Sequence, residues 1–358
     1  MARSNVVKKS PWKRFTGSRV FWPLVALGLI MLFNALFTPH FFNLEIKDGH
    51  LFGSLVDIVN RGAPLMILAV GMTLVIATAG VDLSVGAVVA ISAATATVLI
   101  NPALGKELIS SDKLIQDVTA TPLPIVILAA LAVSTLCGLW NGLLVSRGRI
   151  QPMVATLVLM VAGRGIAQLI TSGQIITVYY TPYFFIGNGY LIVPFTLFIV
   201  AFVFLVVWLM TRKTAIGLFI ESVGTNARSS FYSGVSEKNI KLLVYVCSAV
   251  CAGIAGLIIS SNVKSADANN AGLGLELDAI LAVVIGGTLM SGGRFSLMAS
   301  IVGALVIQSV NTTMYAVGVP AMAAQAVKAL VVLVVILLYS QQFRSGVGRL
   351  FARKGARA

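Results

Sequence analysis

Residues 71–91, GMTLVIATAGVDLSVGAVVAI, indicate the fold class of this chain. Two apolar runs are joined here by TAGVDLSVG (78–86), in which Asp82 is the single charged residue. A short, Gly-containing break between apolar runs is tolerated in lipid where protein or a water-filled cavity satisfies the backbone. The stretch therefore predicts two membrane helices that meet at a polar break.

The whole chain has the same apolar character. Of its 358 residues, 58% are hydrophobic and 11% are charged, whereas a soluble domain carries about 25% charged residues. Most of the surface therefore cannot face water. We predict an all-α integral membrane protein with one membrane domain at 20–340 and short basic tails at 1–19 and 341–358.

Ten apolar runs are candidates for membrane spans. A helix needs about 20 residues to cross roughly 30 Å of hydrocarbon, so the shortest runs predict short or broken helices. The hairpin 277–310 could cross the membrane or enter and leave from the outer side. The ten runs are 20–38, 64–78, 83–100, 124–145, 152–171, 191–210, 242–260, 277–290, 296–310 and 321–339.

Basic residues favour one side of these spans, which sets the topology. Placing both termini in the cytoplasm puts Arg147, Arg149, Arg212, Lys213, Arg228, Lys238, Lys241 and Arg294 inside, together with the basic tails. The outer connections then hold only Lys47, Arg61, Lys106, Lys113 and Lys264. The net charge of +14 therefore reflects topology signals, and no nucleic-acid partner is expected.

Polar residues inside apolar spans are candidates for a substrate path. They are Asp82, Ser84, Asn141, Arg164, Gln168, Gln308 and Asn311. Neutral side chains among them suit a sugar, but they could equally join helices. Asp82 and Ser84 could instead cap the following helix, and Arg164 could form a structural ion pair, for instance with Asp82.

A polar segment interrupts the pattern at 265–293 on the predicted outer side. Its candidates for docking a soluble binding protein are Asp267, Asn269, Asn270, Glu276 and Asp278. A capped turn followed by acidic residues at a helix N-terminus explains the same pattern without a partner.

The longest predicted inner connection, 211–239, mixes apolar, small and charged residues. Its candidates for coupling to an ATPase are Gly217, Glu221, Gly224, Asn226 and Gly234, and a solvated loop is the alternative. The chain has neither a GxxxxGK[ST] nor an HExxH motif, so we expect no ATP hydrolysis or other catalysis by this chain. The spacing of Cys247 and Cys251, without a nearby His or carboxylate, predicts buried thiols and no metal site; no cofactor is expected.

These motifs resemble the permease family of sugar ATP-binding cassette (ABC) importers, which includes the ribose and galactofuranose permeases. The resemblance covers nearly the whole chain and rests on 71–91, 138–145, 150–177, 214–235 and 266–295. The segments VAGRGIAQLIT and ADANNAG are most similar to the galactofuranose branch. Ala79 stands where the family motif commonly has Gly.

The resemblance implies a subunit of a larger importer in the bacterial inner membrane. Its expected partners are a second permease subunit, here in a heterodimer, a cytoplasmic ABC ATPase and a periplasmic sugar-binding protein. Residues 217–235 would form the coupling segment, and a monosaccharide such as galactofuranose would be imported by alternating access. The alternatives are an ion-coupled secondary sugar transporter, which would function alone, and a membrane scaffold without transport.

Overall fold

The computed structural model describes residues 20–39, 41–47, 50–101 and 121–339. The predicted tails, and Lys106 and Lys113 of one outer connection, lie outside these residues. Within them the chain is helical apart from four strands of two or three residues and their connections. The all-α prediction is confirmed.

The elements follow one another along the chain with short connections. The helices are α1 (Phe21–Phe37), α2 (Ser54–Ala77), α3 (Val85–Ile100), α4 (Leu123–Ser146), α5 (Pro152–Ile170), α6 (Thr181–Asn188), α7 (Phe195–Lys213), α8 (Ile216–Thr225), α9 (Ala227–Tyr232), α10 (Glu237–Val263), α11 (Leu275–Ile285), α12 (Leu297–Ala316) and α13 (Ala321–Tyr339). Strands β1 (Glu45–Lys47) and β2 (His50–Phe52) pair antiparallel, as do β3 (Ile176–Thr177) and β4 (Ser265–Ala266).

The predicted spans appear as helices of unequal length. In the described part, α2, α4, α5, α7, α10 and α12 are long and apolar enough to cross a membrane. Helices α1 and α3 have 17 and 16 residues, and α13 contains the apolar stretch Gln325–Val334. Of the three shortest predicted runs, only 277–290 forms a short helix, α11 with 11 residues, whereas 64–78 and 296–310 belong to helices of 24 and 20 residues.

Helix α2 begins ten residues before the predicted start of its span. Polar Asp57, Asn60 and Arg61 end the apolar run in the sequence, yet the helix continues through them and contains Pro64 in its interior. Pro64 has no N–H to donate to the carbonyl of Asn60. Separately, the side-chain oxygen Oδ1 of Asn60 accepts a hydrogen bond of 2.6 Å from Thr196 Oγ1 of α7, so this polar side chain is satisfied inside the protein.

Helix α11 has 11 residues, about 17 Å at 1.5 Å per residue, which is roughly half of the hydrocarbon thickness. Its first turn lies against Gly86 of α3. Beyond its end, the N–H of Gly293 donates to the carbonyl of Ala77 at the end of α2, at 2.8 Å. Helix α12 then returns antiparallel to α2, with Ser300 beside Thr73 and Gln308 beside Gly62. The chain therefore runs through the depth of the bundle between α10 and α12, and the one-sided hairpin is not formed.

Helix α10 lies at the centre of the bundle and packs on α2, α3 and α4. Small residues bring these backbones close together. A Cβ added to Gly138 of α4 would lie 2.7 Å from Ala249 Cβ, and one added to Gly71 of α2 would lie 3.0 Å from Cys251 Cβ. Because atoms of real side chains do not approach so closely, glycine is needed at both contacts. Helix α10 thereby supports both ends of the polar break between α2 and α3.

Candidate functional site

The first break, residues 78–84, joins α2 to α3 and contains a buried carboxylate. Asp82 is 2% exposed. Its Oδ1 accepts hydrogen bonds from the Ser84 N–H at 3.0 Å and from Ser84 Oγ at 2.6 Å. Its Oδ2 accepts one from Ser248 Oγ of α10 at 3.0 Å. Asp82 thus forms the turn that precedes α3 and ties it to the central helix.

Asn141 of α4 extends this network. Its Nδ2 donates to Ser84 Oγ at 2.7 Å, while its buried Oδ1 has no hydrogen-bond partner. The structure therefore brings together three of the predicted path residues, Asp82, Ser84 and Asn141. Ser248 belongs to the same network but could not be found from the sequence, because a single serine in an apolar run carries no distinguishing pattern.

Arg164 of α5 binds backbone instead of Asp82. Its Nη1 donates to the carbonyls of Ala268 at 3.4 Å, Asn269 at 3.3 Å and Ala271 at 2.5 Å. In the described part of the chain no backbone N–H donates to these three carbonyls, so the guanidinium supplies donors that the backbone lacks. Among the described residues no salt bridge joins Arg164 to Asp82, and the ion pair considered from the sequence is not formed.

The second break, residues 264–274, leads from α10 to α11 and begins with an exposed turn. Asp267 Oδ1 accepts from the N–H groups of Asn269 at 2.9 Å and Asn270 at 3.3 Å, and Oδ2 accepts from Asn270 Nδ2 at 2.6 Å. These bonds, that from the Asn270 side chain above all, hold the pKa of Asp267 below its usual range. Gln168 Nε2 donates to Asn269 Oδ1. The side chains of Asn269 and Asn270 remain exposed.

Glu276 and Asp278 differ from the other predicted docking residues. Glu276 is 3% exposed, and its Oε2 lies against Gly86 without a hydrogen-bond partner. Asp278 Oδ2 accepts an ion-paired hydrogen bond from Lys328 of α13. Because α11 begins inside the bundle, the first turn does not face outward as predicted. Neither carboxylate is free to contact a soluble protein, and this part of the docking prediction is corrected.

Gln308 and Asn311 lie on α12, apart from the Asp82 network. The side chain of Gln308 packs on Gly62 of α2, where an added Cβ would lie 3.2 Å from Gln308 Cγ. Asn311 is half-buried one turn further on. The structure therefore does not bring these two residues together with the path residues of the first break.

The glycines of the coupling segment pack within the chain. A Cβ on Gly224 would overlap the carbonyl oxygen of Ala77, and one on Gly217 would overlap that of Thr211. Asn226 caps α9 by accepting from the Ser229 N–H at 3.0 Å, and Gly234 occupies a turn with φ +83°. These four residues are therefore explained by the local fold.

The face of the coupling segment that points away from the bundle carries exposed apolar side chains. Leu218 is 68% exposed, Phe231 68% and Tyr232 81%. Glu221 lines a cavity of about 350 Å³ together with serines, threonine and Arg294. Apolar side chains beside polar ones at the end of the bundle are typical of a surface that a partner covers. The two aromatic residues were not among the sequence candidates.

Comparisons with known proteins place these features in context. A family model described as "Branched-chain amino acid transport system / permease component" matches residues 54–339. The chain is 50% identical over 337 residues to the galactofuranose transporter permease protein YtfT of Escherichia coli (strain K12), which covers 94% of each chain. No solved structure matches the chain.

Two further relatives are also sugar permeases by name. The chain is 37% identical over 340 residues to the fructose import permease protein FruF of Bifidobacterium longum (strain NCC 2705), covering 93% of this chain and 91% of that one. It is 33% identical over 321 residues to the ribose import permease protein RbsC of Escherichia coli (strain K12), covering 88% and 92%.

Proposed function

Because this chain belongs to the family of branched-chain amino acid transport system permease components, we propose that it is the membrane-spanning permease subunit of an ABC importer for a monosaccharide. The observation that carries the proposal is the 50% identity to a galactofuranose transporter permease over 94% of both chains. Galactofuranose is therefore the first candidate for the sugar.

Two features of the structure support transport by alternating access. Helix α11 is a half-helix, and its first turn meets the first turn of α3 deep in the bundle. Discontinuous helices whose ends meet inside the membrane are common at transport sites. The first break also holds neutral polar groups, Ser84, Asn141 and Ser248, which suit an uncharged solute.

The two ends of the bundle would bind different partners. The coupling surface, defined as Leu218, Glu221, Phe231 and Tyr232, would receive the cytoplasmic ABC ATPase. The exposed turn Asp267–Asn270 at the opposite end would face the periplasmic sugar-binding protein. A second, different permease subunit would complete the path, and the complex would lie in the bacterial inner membrane with both termini of this chain in the cytoplasm.

Uptake into proteoliposomes tests the proposed function. The complex is reconstituted with its ATPase and sugar-binding protein and is given radiolabelled D-galactose, D-ribose or L-leucine, with and without ATP. We expect ATP-dependent uptake of galactose, which supplies the furanose ring by equilibration, and none of leucine. Leucine uptake would contradict the sugar assignment. Galactose uptake by the permease alone, driven by an ion gradient, would favour the ion-coupled alternative.

A pair of substitutions tests the coupling surface. Exposed aromatic residues are frequent energetic centres of interfaces, so Phe231→Ala with Tyr232→Ala should weaken ATPase binding about tenfold. The measurement is co-purification of the ATPase in detergent. Phe202→Ala on α7 is the matched control, because Phe202 is 66% exposed on a membrane helix. Full ATPase recovery with the double variant would place the docking surface elsewhere.

A further inference from the structure

Two buried acceptor oxygens without a hydrogen-bond partner flank the first turn of α3. Asn141 Oδ1 lies on the side of Ser84, and Glu276 Oε2 lies against Gly86. The two residues are 1% and 3% exposed. Folded proteins retain few buried acceptors without a donor because such groups are destabilising. A bound ligand that donates hydrogen bonds would satisfy such an oxygen.

The nearby cation does not satisfy Glu276. Arg164 interacts electrostatically with Glu276, but its hydrogen bonds go to the carbonyls of residues 268, 269 and 271. Among the described residues, no side-chain hydrogen bond caps the start of α11. The carboxyl oxygen Oε2 has no hydrogen-bond partner and lies against Gly86 of α3.

The surroundings of these oxygens select the chemistry of a ligand. By helix geometry, the N–H groups of Val85, Gly86 and Ala87 have no acceptor within α3, so donors and acceptors occur side by side. Two helix N-termini and Arg164 disfavour a cation, whereas Asp82 and Glu276 disfavour an anion. A neutral molecule with several hydroxyl groups, each able to donate and accept, matches the site.

Glycines line the contact between α3 and the second break. A Cβ on Gly272 would lie 2.6 Å from the carbonyl oxygen of Gly86 and 2.8 Å from Val89 Cγ1, and one on Gly86 would overlap Glu276 Oε2. Movement of α11 away from α3 would expose Glu276 Oε2 to the space between the two helices.

From these observations we propose that Glu276 binds a hydroxyl group of the transported sugar where the first turns of α3 and α11 meet. This inference rests on the proposed function, since it names a contact that the sugar makes on its path. Glu276 becomes a substrate-binding residue within the membrane, although its sequence position suggested a contact with a soluble protein.

The test is sugar uptake by a Glu276→Gln variant of the complete complex. The substitution preserves side-chain size but replaces one acceptor oxygen by a donor group. Hydrogen bonds to charged groups are strong, so kcat/KM for radiolabelled D-galactose should fall about tenfold or more per assembled complex. Thermal stability in detergent should not fall, which separates a binding role from a structural one. Glu45→Gln is the control, because Glu45 is exposed on β1, away from both breaks.

The outcomes distinguish the inference from the function on which it rests. If the wild-type complex imports galactose and Glu276→Gln imports it equally well, the inference is overturned and the proposed function stands. If the wild-type complex imports no sugar, the proposed function itself fails.

Should the variant not assemble, the wild-type complex is assayed with 2-deoxy-, 3-deoxy- and 6-deoxy-D-galactose at saturating, analogue-loaded binding protein. A fall of about tenfold for one analogue supports a hydroxyl contact to a buried acceptor. Equal rates for all three overturn it.

Discussion

The two helix breaks each place a buried carboxylate at the start of a short helix, yet the carboxylates have opposite surroundings. Asp82 lies among serines, and three donors from Ser84 and Ser248 occupy both of its oxygens. Glu276 lies among Gly86, Gly272 and Gly274, whose side chains offer no donor, and Oε2 stays open. An acidic residue near the start of a helix therefore fixes the turn in the first break, whereas in the second break it keeps an acceptor oxygen without a donor.

Asp82→Ala should destabilise the protein more than any other change proposed for the two breaks. It leaves two hydroxyls and one N–H in a buried site without their acceptor, so we expect a loss of about 3 kcal/mol in the free energy of unfolding. The measurement is the thermal unfolding midpoint of the detergent-solubilised protein.

The matched substitution at the second break is Glu276→Ala. Because Glu276 Oε2 has no hydrogen-bond partner, the change leaves no donor of this oxygen without its acceptor, and it should lower the midpoint less than Asp82→Ala. Equal destabilisation by the two alanines would mean that both carboxylates serve the fold alike, and the contrast between the breaks would be lost.

Gly86→Ala changes the contact between the first turn of α3 and the second break. The added methyl would overlap Glu276 Oε2 and lie 2.5 Å from the Gly272 carbonyl oxygen. Overpacking of this kind destabilises by about 2 kcal/mol and should push α11 away from α3. Thermal stability and galactose uptake should fall together.

Gly165→Ala on α5 is the control for this substitution. A Cβ there meets nothing within 4 Å, and alanine is the better helix former, so stability should be unchanged or improved. A Gly86→Ala protein as stable as the Gly165→Ala protein would show that the approach of α3 and α11 is looser than the structure has it.

Arg164→Lys should have the smallest effect. The ammonium group is shorter in reach and cannot reproduce the planar guanidinium, so the carbonyls of residues 268–271 lose donors, and stability should fall by about 1 kcal/mol. Amide hydrogen exchange at residues 269–273 should accelerate. Unchanged exchange there would show that the second break is held without Arg164.

The sequence predicted the membrane helices well because lipid imposes long apolar runs on any chain that crosses it. The start of α2 was missed because Asp57, Asn60 and Arg61 look like a loop. The partner that satisfies Asn60 is Thr196, 136 residues away, and no local pattern reveals it. The sequence predicted the short helix α11, but it did not predict how deep in the bundle this helix begins.

For the site residues too, local contacts could be predicted from the sequence and long-range contacts could not. The hydrogen bonds from Ser84 to Asp82 could be anticipated, since the two residues are two positions apart, whereas in the described part of the chain no side-chain hydrogen bond caps α3. The burial of Glu276 depends on long-range contacts of the second break with Arg164 and Gly86. Gly224 was assigned to a partner although it packs on Ala77 of the same chain, because a sequence shows that a glycine permits close approach but not to what.

The ion pair between Asp278 and Lys328 joins the first turn of α11 to α13. If α11 moves while this ion pair is intact, α13 moves with it, so the two helices move as one unit. Motion at the buried meeting point of α3 and α11 would then be transmitted to the periphery of the bundle. A fluorescent reporter on α13 would therefore register each cycle at a distance, without any label near the path itself.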